Sequence, residues 1–261
     1  VGSNDGSFLL ACKEFGIDGI GVEPANLLSK YANSKGLKTI NSFFNSDFLK
    51  FLSNSDSAKK FDVISFNNVL ANIDNPYQAL NLAKSLLKSE DSIIVVQTGY
   101  HPTLFSKGIF DYIYHEHYSY FNLKSLKTLG ENCNLNLVNY DILPLRAGTI
   151  RCIFNAKKRE LSEPGINERF NRLEEFKGLN FLIKSSKTYI NDLLNNYKLK
   201  GYLVIGYGAS HSTGTLVHTL GIINSLDIIV DENEAKYGKY MPGTSLRVES
   251  ASKINNNSKQ I

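Results

Sequence analysis

The chain has 261 residues, 42% hydrophobic and 21% charged, the composition of an ordinary soluble globular protein with apolar material for one large or two medium domains. Its net charge of +4 comes from 29 basic and 25 acidic residues without a basic stripe or aromatic-basic alternation, so no polynucleotide partner is expected. Apolar runs such as Ser92 to Val96 and Tyr202 to Ile205 are strand-sized, far below the ~20 residues that cross a bilayer, and no signal-peptide pattern opens the chain.

In chain order, a glycine turn at Val1-Gly2-Ser3-Asn4-Asp5-Gly6 leads into a helix over Ser7 to Glu14 and a short strand at Gly19 to Val22 that ends on Glu23-Pro24. Asn26 to Lys35 reads as helix, Leu37 to Asn41 as strand and Asp47 to Ser53 as a short helix. Phe61 to Phe66 is a continuous apolar run suited to a buried parallel strand; Pro76 to Lys88 is a helix begun by a first-turn proline, and Ser92 to Gln97 a further strand. This is the alternation of a parallel sheet covered on both faces. A helix at Leu123 to Asn132 and strands at Asn136 to Tyr140 and Gly148 to Asn155 come next.

Pro164-Gly165 then punctuates the chain, and Ile166 to about Tyr197 reads as one long or two shorter helices around Gly178. The rhythm restarts with a strand at Tyr202 to Gly206, a glycine turn Gly206-Tyr207-Gly208-Ala209-Ser210, a helix to Leu220 and a strand Leu226 to Val230 ending on Asp231. That restart predicts a second nucleotide-binding-like unit. The expected division is therefore a first domain over 1–160, a helical linker over 161–200 and a second, truncated domain over 201–261 with a frayed polar tail from Asn255 to Gln260. Valine stands on the doorstep of the first turn and the sole methionine is Met241, so the natural start is expected upstream, together with the strand that feeds the turn. Loss of that strand would leave two neighbours unpaired. Cys12, Cys133 and Cys152 form no CxxC pair and read as reduced packing residues in a cytoplasmic protein.

Gly2 and Gly6 let the backbone approach a ligand, and Glu23 at the end of the next strand is placed to accept both hydroxyls of a ribose. Asp5 in the turn would repel a pyrophosphate and favour a ligand with positive charge, such as a sulfonium or an α-amino group. A plain strand-to-helix turn remains the alternative. Asn67 and Asn68 sit at the carboxyl edge of the sheet, where they offer donors and acceptors to an amino-acid moiety or simply cap the next helix. The densest group is Tyr114-His115-Glu116-His117-Tyr118-Ser119-Tyr120, two imidazoles, a carboxylate and three phenols in seven residues. In extended backbone His115 and His117 share a face; in a helical turn Tyr114 lies beside His117. His115 and His117 as a metal pair lack an apparent third ligand nearby, and no metal is expected.

GSNDG, GVEPA, the pair Phe43-Phe44, FNNVLANIDN, YHEHYSYF, RAGTIR, GYGAS and VDENEAKYGKYMPGT succeed one another over nearly the whole chain in an order that resembles the sugar C-methyltransferase family. The resemblance implies an α/β fold, a Rossmann-like class I methyltransferase domain followed by a second, truncated Rossmann-like domain, without the family's N-terminal zinc-binding module. It implies S-adenosyl-L-methionine as cofactor, met by Gly2, Asn4, Asp5, Gly6, Glu23, Pro24, Phe44, Asn67 and Asn68. The implied substrate is a nucleotide-linked 4-keto deoxysugar, methylated on the carbon beside the ketone. By resemblance His117 is the base, with Tyr114 and Glu116 as helpers, and His115, Asn72 and Arg146 meet the acceptor; the second turn, Gly206, Gly208, Ala209 and Ser210, is expected to receive the sugar nucleotide's phosphates at a helix N-terminus or is merely a helix entry. Two positions depart from the family pattern: Asn72 stands where relatives have histidine, and Arg146-Ala147-Gly148 where a glycine pair is usual. An NAD-dependent oxidoreductase or epimerase of sugar nucleotides and a non-catalytic sugar-nucleotide-binding protein are the competing readings. Membrane partners are not expected, and the oligomeric state is open.

Overall fold

The computed structural model describes residues 1–53, 60–145, 148–157 and 172–254. The chain divides into two compact units, Val1–His101 with Glu116–Arg169, and Pro102–His115 with Phe170–Ile261. The stretch 102–115, placed in the first domain on sequence, and the long helix placed in the linker thus group with the second unit.

In the first unit, α1 (Ser7–Glu14), β1 (Gly21–Val22), α2 (Asn26–Ser34), β2 (Thr39–Ile40) and α3 (Ser46–Ser53) lead to β3 (Val63–Asn67), α4 (Pro76–Ser85) and β4 (Ile93–Gly99). After α5 (His101–Ser106), which begins here, come α6 (Leu123–Asn132), β5 (Asn136–Leu143) and β6 (Thr149–Asn155). β1 pairs parallel with β2, and a second sheet runs in the order β3-β4-β6-β5. Val1 to Ser3 lie between the two sheets: Val1 N donates to Ser65 O at 2.8 Å, while Gly2 N and Ser3 N donate to Val22 O at 2.8 and 3.2 Å. The gap expected between β1 and β3 is thus bridged on both sides by the first three residues.

The sheet is not wholly parallel. β6 returns antiparallel to β4 and β5 pairs antiparallel with β6, so the last two strands form a reversed hairpin. Nor is β3 buried on both faces. Ile64 and Phe66 point into the core with Ile94, Val96, Ile150, Cys152 and Phe154, where α4 and α6 supply Leu80, Ala83 and Leu126. Val63, on the other face, is 55% exposed. A hydrophobic run cannot by itself report how many faces are covered, because valine favours a strand either way. α4 starts as expected, with Pro76 in its first turn and Asn75 Oδ1 accepting from Gln78 N at 3.0 Å.

The second unit holds α7 (Arg172–Leu199), β7 (Ile205–Tyr207), α8 (Thr213–Leu220), β8 (Ile228–Asp231) and β9 (Val248–Ser250). The three strands are parallel in the order β7-β8-β9. α7 runs through Gly178 without a break, and Asn191 Nδ2 on it donates to Leu220 O at 2.8 Å, tying it to the end of α8. Val204, Val217, Ile229, Met241 and Val248 form this unit's core with Leu194 of α7. Pro164-Gly165, the expected helix start at Ile166 and the tail from Asn255 lie outside the described residues.

Gly130 on α6 faces the ring of Phe154, and a Cβ there would sit 2.6 Å from Phe154 Cε1. Gly130→Ala gains roughly 1 kcal/mol of helix propensity but overpacks a closed core, which costs about 1–3 kcal/mol. Chemical denaturation is expected to show net destabilisation; an unchanged or raised midpoint would contradict this packing.

Candidate functional site

The first glycine turn is built by backbone geometry that few residues accept. Gly2 has φ 63° and its missing Cβ would stand 2.5 Å from Val69 Cγ2, so the turn and the segment after β3 touch only because position 2 is glycine. Asn4 also adopts the left-handed region at φ 52°, which asparagine tolerates better than most side chains. That conformation aims Asn4 N at Glu23 Oε2, 2.9 Å away. Glu23 is 7% exposed, and its other oxygen accepts from Ala25 N at 2.9 Å. A carboxylate has about four acceptor sites, so each oxygen keeps one for a diol. Asp5 Oδ1 accepts from Ser7 Oγ at 2.7 Å and Ser7 N at 3.0 Å, and those bonds, the hydroxyl's foremost, hold its carboxyl below the usual range. It therefore caps the first turn of α1 while presenting negative charge at the turn. Pro24 is exposed beside Glu23. Phe44 is half-buried and packs against the core, its ring 5.3 Å from Phe48 and edge-on to Phe66 at 5.6 Å.

At the end of β3, Asn67 closes the strand and Asn68 turns at φ 54°, its N–H donating to Gln97 O at 2.8 Å. A 3-10 turn, Leu70–Asn72, comes next, with Leu70 fully buried and Asn72 exposed at its end. The carbonyl of Ala71 accepts from both Tyr118 N at 2.8 Å and Ser119 N at 3.2 Å. Farther along, Phe121 bridges Tyr100, and His101 N donates to Phe121 O at 3.2 Å. A capping box then starts α6: Ser125 N donates to Asn122 Oδ1 at 2.7 Å and Asn122 N to Ser125 Oγ at 2.9 Å. Residues 118–122 are thus pinned across the carboxyl edge of β3 and β4. His117, half-buried, stands at the head of that segment with its ring edge-on to Tyr120, centroids 5.9 Å apart.

The histidine-rich segment is neither strand nor helix; it turns at His115-Glu116, both exposed. Glu116 and His117 belong to the first unit, Tyr114 and His115 to the second. Tyr114 stacks on His211 at 4.6 Å between ring centroids, with Tyr112 edge-on at 6.0 Å. Arg146 lies outside the described residues. Among those described, no group of three His, Cys, Asp or Glu side chains is gathered to hold a metal ion.

The second glycine turn repeats the first, with one difference. Gly208 has φ 98° and donates from N to Val230 O at 2.7 Å; Ala209 N reaches Asp231 Oδ2 and Asn233 N reaches Oδ1, both at 2.8 Å. Asp231 thus matches Glu23, although on sequence it stands out only as a strand end. Here, however, Lys236 Nζ also sits on Oδ2 at 2.8 Å. Both acceptor sites of that oxygen are filled. Lys236 first, then the amides of Asn233 and Ala209, hold the Asp231 carboxyl at about 2. Ser210 serves the turn itself, its N–H donating to Thr213 Oγ1 at 3.0 Å, and Gly206 lies half-buried on β7.

A family model described as a methyltransferase domain matches residues 1–140, and one described as a C-methyltransferase C-terminal domain matches residues 155–261. Among curated proteins, C-methyltransferase NovU of Streptomyces niveus is 26% identical over 258 residues, covering 95% of this chain and 60% of NovU. The chain thus spans about three-fifths of that relative's length. Among solved structures, a SAM dependent methyltransferase from Archaeoglobus fulgidus is 22% identical with a TM-score of 0.45, covering 69% of this chain and 76% of that one. A TehB-like SAM-dependent methyltransferase from Corynebacterium glutamicum is 16% identical with a TM-score of 0.44, over 60% and 77% of the two chains.

The Asp231 contacts predict a pH signature. Its folded-state value of about 2 lies below the ordinary 3.8, so its stabilisation is fully present above about 4 and is lost as pH falls toward 2. Urea denaturation of the wild type and Asp231→Asn should show a gap that is constant above pH 4 and closes between 4 and 2. A gap that widens on acidification would contradict the assignment.

Proposed function

The chain belongs to the methyltransferase-domain family, and on that premise we propose that it is an S-adenosylmethionine-dependent C-methyltransferase acting on the carbon beside the ketone of a nucleotide-linked 4-keto deoxysugar. The observation that carries this reading is the Ala71 carbonyl held by two amides, which sets His117 on the same sheet edge as the glycine turn.

The first turn fits the cofactor by the chemistry of its donors and acceptors. Glu23 is buried yet keeps one acceptor site on each oxygen for the two ribose hydroxyls, and Gly2 leaves the backbone bare. Asp5 contributes negative charge suited to a sulfonium or an amino group and hostile to a pyrophosphate. The second turn is the poorer host, since Lys236 already occupies the corresponding acid. Bound S-adenosylmethionine would supply an electrophilic methyl group.

The chain itself must remove a weakly acidic proton. A hydrogen beside a ketone is a far weaker acid than imidazolium, and each pK unit of mismatch costs about 1.4 kcal/mol, so the base needs help at the developing enolate oxygen. His117 takes the proton in this reading. Tyr120, edge-on to His117, is a phenol within the same segment that the resemblance does not single out. The roles of Tyr114 and Glu116 rest on the resemblance alone. Holding donor and acceptor carbons in line is the remaining contribution of the pinned segment.

Incubating the protein with S-adenosylmethionine labelled in its methyl group and a nucleotide-linked 4-keto-6-deoxyhexose should place the label on carbon. Label on oxygen would overturn the reading, as would transfer to no acceptor of this class. Calorimetry should show binding of S-adenosylmethionine in preference to NAD. Glu23→Gln puts an amide N–H₂ against a backbone N–H and should weaken S-adenosylmethionine at least tenfold, about 1.4 kcal/mol; equal affinity would remove Glu23 from the site.

A further inference from the structure

Arg151 on β6, the last residue of the RAGTIR motif, reaches a neighbouring strand with its side chain. Its Nε and Nη2 both donate to Gln97 Oε1, at 3.1 and 2.8 Å, and the two residues are cross-strand neighbours on β4 and β6. A guanidinium has five N–H groups, so three are left beyond this contact. Its partner is a neutral amide. Among the described residues no carboxylate lies within ion-pair distance of it. The acid nearest in register is Asp141 on β5, exposed and making no ion pair with it. A half-buried, pre-aimed cation whose cross-strand acid Asp141 makes no ion-pair contact within 4.0 Å is an arrangement suited to an incoming anion.

The position narrows which anion. Arg151 and Gln97 lie on the sheet face away from α4 and α6, the face on which Val63 is open to solvent. Across the carboxyl edge the order is Glu23 just after β1, the glycine turn, Asn67-Asn68 at the end of β3 beside the His117 clamp, Gln97 on β4, then Arg151 on β6. At ~4.8 Å per strand, Arg151 stands roughly 10 Å beyond β3 and roughly 14 Å from the glycine turn. An acceptor whose reacting carbon sits at His117 and whose remainder runs away from the glycine turn would reach β4 and β6. We infer that Arg151, oriented by Gln97, binds the diphosphate of the nucleotide-linked acceptor. This rests on the function proposed above.

The test is calorimetric binding of thymidine diphosphate, and separately of S-adenosylhomocysteine, to the wild type and to Arg151→Gln, Arg151→Lys and Gln97→Ala, each checked by thermal melting. Arg151→Gln should weaken the diphosphate at least tenfold and leave S-adenosylhomocysteine unchanged. Arg151→Lys, which keeps the charge and loses the fork, should fall between, as should Gln97→Ala, which frees the arginine. Diphosphate affinity equal to wild type in Arg151→Gln would overturn the inference while leaving the C-methyltransferase reading intact. Weakened S-adenosylhomocysteine with unchanged diphosphate would also overturn it, by assigning the guanidinium to the cofactor's carboxylate. A wild type that binds S-adenosylhomocysteine and no nucleoside diphosphate would overturn the acceptor class itself, and this inference with it.

Discussion

One carbonyl oxygen, that of Ala71, accepts hydrogen bonds from two consecutive amides, Tyr118 and Ser119, and the geometry of the site depends on that contact. The segment carrying His117 is irregular, and that contact, together with the bridge between Tyr100 and Phe121, ties it to the sheet. The carbonyl is itself fixed, because the Leu70–Asn72 turn is anchored by fully buried Leu70 and comes directly after Val69, whose methyl group occupies the space that a side chain at position 2 would need. A single short turn therefore touches the glycine turn on one side and the imidazole-bearing segment on the other. Few residues could be exchanged there without moving both.

The two glycine turns separate a general architecture from a particular use of it. Each aims a backbone amide at a carboxylate on the next strand, and each carboxylate caps the amide two residues on. Only in the second unit does a lysine join them, filling both acceptor sites of one oxygen. Lone-pair counting then distinguishes an acid with a site left on each oxygen for a diol from one that keeps a site on a single oxygen. The second turn holds its strand and helix together by the same bonds that leave it little to offer.

Much of this is legible in the residue order. Ser7–Glu14 and Leu123–Asn132 match their helices end to end, because Gly6 and Gly16 flank the first and the capping residue Asn122 opens the second. The reversed hairpin β5-β6 is not legible, since alternation predicts a strand and says nothing of its direction. β9 escapes because three residues give too short a pattern, and α5 because its proline reads as a loop until the helix behind it is seen. At the site, the glycines, Glu23 and the histidine cluster are visible as residue types. The Ala71 contact is not, for a backbone carbonyl leaves no trace in the sequence, and the role of Asp231 is hidden because its partner Lys236 becomes a neighbour only after a turn. Arg151 looks like any strand cation until register pairs it with Gln97.

Proton removal can be isolated from methyl transfer. With S-adenosylhomocysteine bound and a nucleotide-linked 4-keto-6-deoxyhexose in deuterated water, deuterium uptake at the carbon beside the ketone reports the base alone. The wild type should exchange that hydrogen, and His117→Ala should slow exchange by about 10²–10⁴-fold with S-adenosylhomocysteine affinity retained. Exchange at the wild-type rate in His117→Ala would contradict the placement of the base on this edge.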